Sequence, residues 1–372
     1  MFEKYLIKLG ICILNLIYFV FKWLPCNRHK ILFLSRQSNK PSIDFRKLMG
    51  NLNENYDVKM VVMTKRVEKN LKDVLTKNVL ISFRQMYHLA TSKVCIVDGY
   101  NITVSVLKHK KSLKIFQIWH SLGAIKKFGY QSLITDKQKV IAKEMHMHKN
   151  YDYILSASTE TTKNLKESFG YSNDKFIIGT LPRVDYLKEH SNINRDKIYQ
   201  KYPNFKNKKI VLYAPTFRPN NNYKIKEVIE KFNNKDYILI LKLHPNIKEK
   251  YQSNNNVYLC NEFSTLQLLS VVNYVITDYS GLSLEASVLN KQIYIFAYDY
   301  DNYKKNPGIN IDLKKEFKKY FFTDIDDLYN SIGNRYNKKI ISDYCNKYIE
   351  MQKDVTNKLV DEIVVRGFEY ED

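Results

Sequence analysis

No cysteine in this chain has another at metal-ligand spacing. The five, Cys12, Cys26, Cys95, Cys260 and Cys345, are odd in number and far apart. That excludes a paired-thiolate metal site and a disulfide framework, and a reducing cytosolic setting fits best. A long hydrophobic run is also missing. The charge-free stretch near the N-terminus, Leu9 to Phe21, covers thirteen residues, whereas a spanning helix needs about 20. Leu24-Pro25-Cys26 behind it is a poor match to a signal-peptide cleavage site. Acidic residues are scarce, 38 Asp and Glu against 60 Lys and Arg, a formal net charge of +22. Such a surface attracts polyanions. With no zinc knuckle and no RNP-type aromatic motif, nucleic acid is the weakest of these, leaving anionic lipid and phosphate-rich substrates. There is no internal repeat, and no low-complexity tract beyond Asn220-Asn221-Asn222.

What is present is room and rhythm. At 372 residues and 44% hydrophobic, the chain holds two domains with full cores. Residues 1–27 form an apolar segment flanked by Lys4, Lys8 and Lys22. A helix lying in the membrane interface explains those lysines, and a helix packed on the first domain is the alternative. Short apolar runs then alternate with amphipathic ones. Strands are expected at Lys30–Ser35, Val58–Met63, Val79–Phe83, Val94–Asp98, Leu113–Trp119 and Tyr153–Ser156, with helices at Ser42–Asn53 and Thr159–Phe169. After a polar linker with a short helix at Glu189–Lys209, strands resume at Ile210–Ala214, Tyr237–Leu243, Val257–Cys260, Tyr274–Thr277 and Ile293–Ala297. Helices intervene at Lys224–Phe232, Ser264–Val271, Leu282–Leu289 and Ile325–Ile332. The tail Ile341–Val365 reads as one helix. The pattern is α/β: two doubly wound, Rossmann-like domains facing each other across a cleft. The boundaries are 28–195 for the N-terminal domain and 196–340 for the second. Residues 341–372 pack back on the first domain.

Chemistry in such folds gathers beyond the carboxyl ends of strands. The richest ending is Ile276–Val288, where strand, turn and helix follow in sequence. Asp278, Ser280, Gly281 and Ser283 make a polar turn with an anion-compatible helix start, and Glu285 lies one turn further on, within reach of a ribose. Gly281 is free to take backbone angles that other residues avoid. The plain alternative is a helix capped by Ser280. His120 ends another strand as a general-base candidate or a histidine satisfied by backbone. Lys126 and Lys127 follow it, as surface charges or contacts to an anionic acceptor or phosphate. Arg183 is placed for a forked phosphate contact or an ion pair with Asp185. Thr216 and Arg218 follow one second-domain strand; Lys242 and His244, before Pro245, follow the next. Asp299 and Asp301 read as surface turn or hydroxyl-orienting groups. No residue cluster indicates a metal.

These endings, in order, resemble the CDP-glycerol glycerophosphotransferase family, which includes bacterial teichoic acid primases and polymerases. The resemblance rests on WHSLGAIKKFG, YDYILSAS, GTLPRVDYL, YAPTFR, KLHP and the stretch from Thr277 to Tyr303, and covers about Ile115 to Tyr303. It implies a GT-B type fold, with 28–195 as the acceptor domain and 196–340 as the donor-binding domain, peripheral at the cytoplasmic face of the bacterial membrane. It implies transfer of a polyol phosphate from CDP-glycerol or CDP-ribitol to a lipid-linked, polyprenyl diphosphate saccharide acceptor, with CMP released and no cofactor required. Within it His120 matches the proposed base, and His244, Arg218 and Ser280 match positions around the donor's cytidine and phosphates. Catalysis is thus expected from His120 and His244. Donor binding is expected from Thr216, Arg218, Lys242, Asp278, Ser280, Gly281 and Glu285. Gly281 stands where the family commonly has a second Ser, Glu285 where it has Asp, and Ser121 where it usually has Gly. Two other readings stand beside this one: a glycosyltransferase using a nucleotide sugar, and a basic membrane protein that binds polyanions without turnover.

Overall fold

The computed structural model describes residues 2–66, 77–218, 223–234, 236–244, 247, 251–253 and 256–368. Its contacts divide the chain into two units. The first comprises Met1–Ser121, Phe128–Arg183 and Glu350–Asp372; the second comprises Leu122–Lys127 and Val184–Ile349.

The first unit is built on six parallel strands: β1 (Asn27–Ser35), β2 (Lys59–Thr64), β3 (Ser92–Val97), β4 (Lys114–Gln117), β5 (Tyr153–Ser156) and β6 (Phe176–Ile178), in the order β2-β1-β3-β4-β5-β6. Ile31, Leu32, Phe33 and Leu34 of β1 are all buried, as a parallel sheet covered on both faces requires. The chain moves outward from β1 to β2, then crosses to the other side of β1 for β3. The reversal leaves a crevice between the ends of β1 and β3, where ligands bind in folds of this kind.

Helix α1 (Phe2–Phe21) has the length and apolarity to cross a bilayer, with mean hydropathy 1.7 over 19 residues. Its inner side is nevertheless tied to the first unit. Asn15 Nδ2 donates to the Val106 carbonyl (2.9 Å), and its Oδ1 accepts from Lys108 N–H (2.8 Å). Tyr18 is buried with its hydroxyl at His109 (3.0 Å), and Lys4 pairs with Glu144 (3.0 Å). The outer side exposes Leu9, Leu16, Val20 and Trp23, the last 76% exposed. Helix α2 (Ile43–Asn55) starts at Ser42, whose hydroxyl accepts the Phe45 N–H, and buries Phe45, Leu48 and Leu52.

One expected strand is wrong. Val79–Phe83 lies inside helix α3 (Lys77–Thr91). Its short apolar run fits either period, but Met86, Leu89 and Ala90, all buried, continue it at helical spacing, and length decides. Helix α4 (Ile102–Val106) follows β3, and the three-residue β6 went unrecognised because it is too short to show a period. The tail is two helices, Lys339–Tyr348 and Val355–Phe368, rather than one. Between them Glu350 N–H donates to the Ala157 carbonyl (2.6 Å) and Asp354 takes a left-handed angle, φ 54°. The second of these helices lies so close to β3 that a Cβ at Gly367 would meet Val94 at 2.6 Å.

The second unit carries β7 (Lys209–Ala214), β8 (Tyr237–Leu241), β9 (Val257–Tyr258), β10 (Tyr274–Thr277), β11 (Gln292–Phe296) and β12 (Phe321–Phe322). All are parallel, in the order β12-β11-β10-β7-β8-β9. The reversal point here lies between β7 and β10. The polar stretch 189–209, expected as a linker with a short helix, contains the helix Ser191–Lys201 with Ile198 fully buried.

Candidate active sites at the two reversal points

In the first unit the loop after β3 and the turn after β4 meet at His120. Trp119 reverses the chain with a left-handed backbone (φ 61°). Its N–H donates to the Gln117 side chain (2.9 Å), and its ring stacks on Phe128 at 4.3 Å between centroids. A bulky residue at positive φ is uncommon and concentrates at functional sites. His120 Nδ1 lies 2.9 Å from the Asp98 carbonyl. A carbonyl only accepts, so Nδ1 carries the hydrogen and Nε2 keeps its lone pair. Burial lowers the imidazole pKa to about 4, against its hydrogen bond to the Asp98 carbonyl, which favours the charged form. The ring is therefore a neutral acceptor throughout the physiological range. Gln37 lies 3.4 Å from the same nitrogen, and Gly99 makes the approach possible, since a Cβ there would meet the Gln37 amide at 2.9 Å.

Two buried carboxylates flank this histidine. Asp44, at the start of α2, holds Arg183 by its Nε (3.0 Å) and Nη2 (2.5 Å) and also accepts the Arg183 backbone N–H (2.9 Å). The guanidinium expected to meet a phosphate is thus forked onto Asp44. Asp98 is 2% exposed, and among the described residues neither of its carboxylate oxygens has a partner of normal hydrogen-bond geometry. Burial raises its pKa to about 6, partly opposed by the nearby Ser35 hydroxyl. Asp98 had been read only as the end of a strand, and Asp44 not at all. An acid closing a buried strand, and one just inside a Ser-capped helix, were the available signals.

In the second unit the reversal point is filled by Arg218, 3% exposed. Its Nη1 donates to Asp278 (2.7 Å) and to the Thr216 carbonyl (3.0 Å), while Nε (2.6 Å) and Nη2 (2.9 Å) fork onto Asp299. Asp278 also accepts the Thr216 N–H (2.9 Å) and hydroxyl (2.5 Å). Tyr279 donates to Asp299 (3.1 Å) and stacks on Tyr303 at 3.8 Å, and Tyr298 covers the guanidinium at 4.6 Å. Burial disfavours the charge, but the bonds to Asp299 and the field of Asp278 outweigh it and raise the pKa. Three strand ends are thereby locked together. Thr216, Arg218 and Asp278 were expected to touch the donor; their polar groups are instead committed to one another.

The remaining expected residues surround this knot. Lys126 belongs to the second unit, half-buried and anchored by the Asn310 amide on its carbonyl (3.2 Å). Burial lowers its pKa, the field of Asp278 opposing the change and that of Arg218 adding to it. Lys127 is exposed, its stem folded over Gly308, where φ is +94°. His244 packs beside Phe217 at 5.4 Å between rings; Pro245 lies outside the described residues, as do residues 220–222. Lys242 Nζ donates to the carbonyls of Phe263 (2.7 Å) and Cys260 (3.2 Å), fastening the chain after β9 rather than facing a ligand. Ser280 accepts the Leu282 N–H (3.3 Å), the capping alternative, and keeps a hydroxyl hydrogen to donate. Gly281 has ordinary helical angles (φ −56°), so its conformational freedom is not used. Ser283 is buried against the Ser280 carbonyl and the Tyr344 hydroxyl. Glu285 is half-buried in the helix Leu282–Val288.

The family model for CDP-glycerol:poly(glycerophosphate) glycerophosphotransferases matches residues 16–364. The chain belongs to this family. It is 30% identical to a teichoic acid glycerol-phosphate primase of Bacillus subtilis, over 90% of this chain and 92% of that one. It is 28% identical to a teichoic acid ribitol-phosphate primase of Bacillus spizizenii, over 76% of each. The wall teichoic acid polymerase TagF has the same fold, with TM-score 0.72 at 16% identity over 97% of this chain and 96% of that one. The two units are thus those of a GT-B type fold, and the chain is a transferase of a CDP-polyol-using family. The nucleotide-sugar and non-enzymatic readings are left without support.

Proposed function

We propose that this family member transfers glycerol phosphate from CDP-glycerol to a hydroxyl of a lipid-linked saccharide acceptor. The observation that carries the reading is His120: a neutral imidazole with Nδ1–H fixed on the Asp98 carbonyl and Nε2 left as acceptor. The acceptor O–H loses its proton to Nε2 as its oxygen bonds to the β-phosphorus. The bond from that phosphorus to the bridging oxygen breaks, and CMP departs with the electron pair. Positioning and fixed charge supply most of the acceleration in such transfers. Acceptor activation falls to the first unit and donor binding to the second. There Lys126, Ser280, His244 and Glu285 are the groups we assign to the nucleotide and phosphates, and Arg218, Asp278 and Thr216 form the scaffold that positions them. The proposed reaction uses no resident cofactor, and CDP-glycerol is a substrate. We place the protein at the cytoplasmic membrane face, resting on the exposed apolar side of α1.

The test is CMP release by the purified protein with a lipid-linked acceptor, supplied separately with CDP-glycerol and CDP-ribitol. Acceptor-dependent release with CDP-glycerol is expected. Release with CDP-ribitol alone would reassign the donor, in line with the likeness to the ribitol-phosphate primase. Silence with both, in folded protein, would defeat the reading.

A further inference from the structure

Beyond the ends of β1 and β2 the first unit contains a cavity of ≈ 400 Å³. Its apolar wall comes from three helices, with Leu14 of α1, Ile81, Phe83 and Met86 of α3, and Ile102 of α4. Arg36, Lys65 and Arg66, which follow the two strands, line it as well, and no carboxylate does among the described residues. Arg36 is half-buried, its pKa lowered by burial and that change opposed by the nearby Tyr100 hydroxyl. An apolar pocket bearing the Arg36 guanidinium, with no carboxylate among its described lining residues, suits a ligand with a hydrocarbon part and an anionic head. Two further observations say which. The outer faces of α1 and α3 expose Leu9, Leu16, Val20, Val79 and Leu80, so apolar surface continues outward from the helices that wall the cavity. The cavity also shares its loops with the base. Arg36 precedes Gln37, whose amide is 3.4 Å from His120 Nδ1, and the lining residue Asn101 lies in the loop that begins at Asp98.

We infer that this cavity receives the lipid diphosphate end of the acceptor, its first carbons against Ile81, Phe83 and Met86 and its diphosphate on Arg36. The inference rests on the proposed transfer reaction and names the site where the acceptor's lipid is recognised. Guanidinium suits this task because it forms forked bonds to phosphate oxygens.

The test measures binding to the full-length protein in neutral detergent micelles, with geranylgeranyl diphosphate as the probe and phosphatidylglycerol as the competitor. Saturable binding is expected, weakened roughly tenfold or more by Arg36→Gln, the worth of a charge-assisted bond. Ile81→Trp, which fills the cavity, should weaken it likewise, with the thermal melt of each variant recorded to establish folding. Equal competition by phosphatidylglycerol would overturn the inference in favour of general anionic-lipid binding, and wild-type affinity in both folded variants would overturn it outright. CDP-glycerol binding is measured in the same samples. Intact donor binding with no diphosphate-lipid binding defeats the cavity assignment alone, whereas absent donor binding with intact lipid binding defeats the proposed donor.

Discussion

At the reversal point of the second sheet, Asp278 and Asp299 share one arginine, and Thr216 and Tyr279 supply further bonds to the pair. At that of the first sheet the half-buried Arg183 is taken by Asp44, and Asp98 keeps a carboxyl without a normal hydrogen-bond partner among the described residues. Two parallel six-stranded sheets that differ in strand order thus carry, at their reversal points, a locked site and a poised one. The locked one holds three strand ends in fixed relation. The poised one keeps a neutral base, and beside it a carboxyl whose charge is tolerated poorly, both within the loops that follow β3 and β4. Satisfied ion networks stabilise and position, whereas unsatisfied buried polar groups are retained where chemistry or recognition needs them.

The comparison breaks most severely if His120 is not the base. His120→Ala should lower acceptor-dependent CMP release by roughly 10²–10⁴-fold, the usual worth of a general base, with the thermal midpoint near wild type. A rate within a factor of three of wild type would remove the first unit's claim to chemistry. The locked site is tested next. Arg218→Ala leaves two buried carboxylates uncompensated and should cost about 3–5 kcal/mol in urea unfolding; a loss below about 1 kcal/mol would show that the knot does not hold the second unit together.

Asp98→Asn sharpens the contrast through pH. The folded-state pKa of about 6 lies above the unbound value of 3.8, so this group favours folding below pH 3.8 and loses that contribution as pH rises through 6. The wild type should lose on the order of 2–3 kcal/mol relative to Asp98→Asn between pH 4 and pH 7. Parallel stability curves for the two proteins would mean the carboxyl is satisfied after all. The smallest effect concerns Lys126. Lys126→Met should raise the KM for CDP-glycerol roughly tenfold, the worth of one charge-assisted bond, and an unchanged KM would exclude it from donor binding.

Much of this architecture is legible in the amino-acid order. The strand–turn–helix from Tyr274 to Val288 reads correctly because β10 is short, mostly apolar and partly β-branched, and its turn is polar. The strand endings also reveal which residues collect at the carboxyl edges, His120 and Arg218 among them. What the order conceals is partnership. Arg218 binds carboxylates 60 and 81 residues away, and a guanidinium satisfied by two acids looks, in sequence, like one waiting for phosphate. Arg183 misleads in the same way, its partner Asp44 lying 139 residues earlier. Val79–Phe83 fails for a local reason, since five residues, apolar but for Ser82, carry no period of their own and only Met86 and Leu89 beyond them settle the helix. The cavity behind Arg36 has no sequence signature, because α1, α3 and α4 each contribute only part of its wall.

The most direct test of the account is a ¹⁵N NMR titration of His120, assigned by its absence in His120→Gln. The account predicts a neutral ring protonated on Nδ1 that persists down to about pH 4. A ring protonated on Nε2, or one that titrates near 6.5 as an unperturbed histidine does, would contradict it.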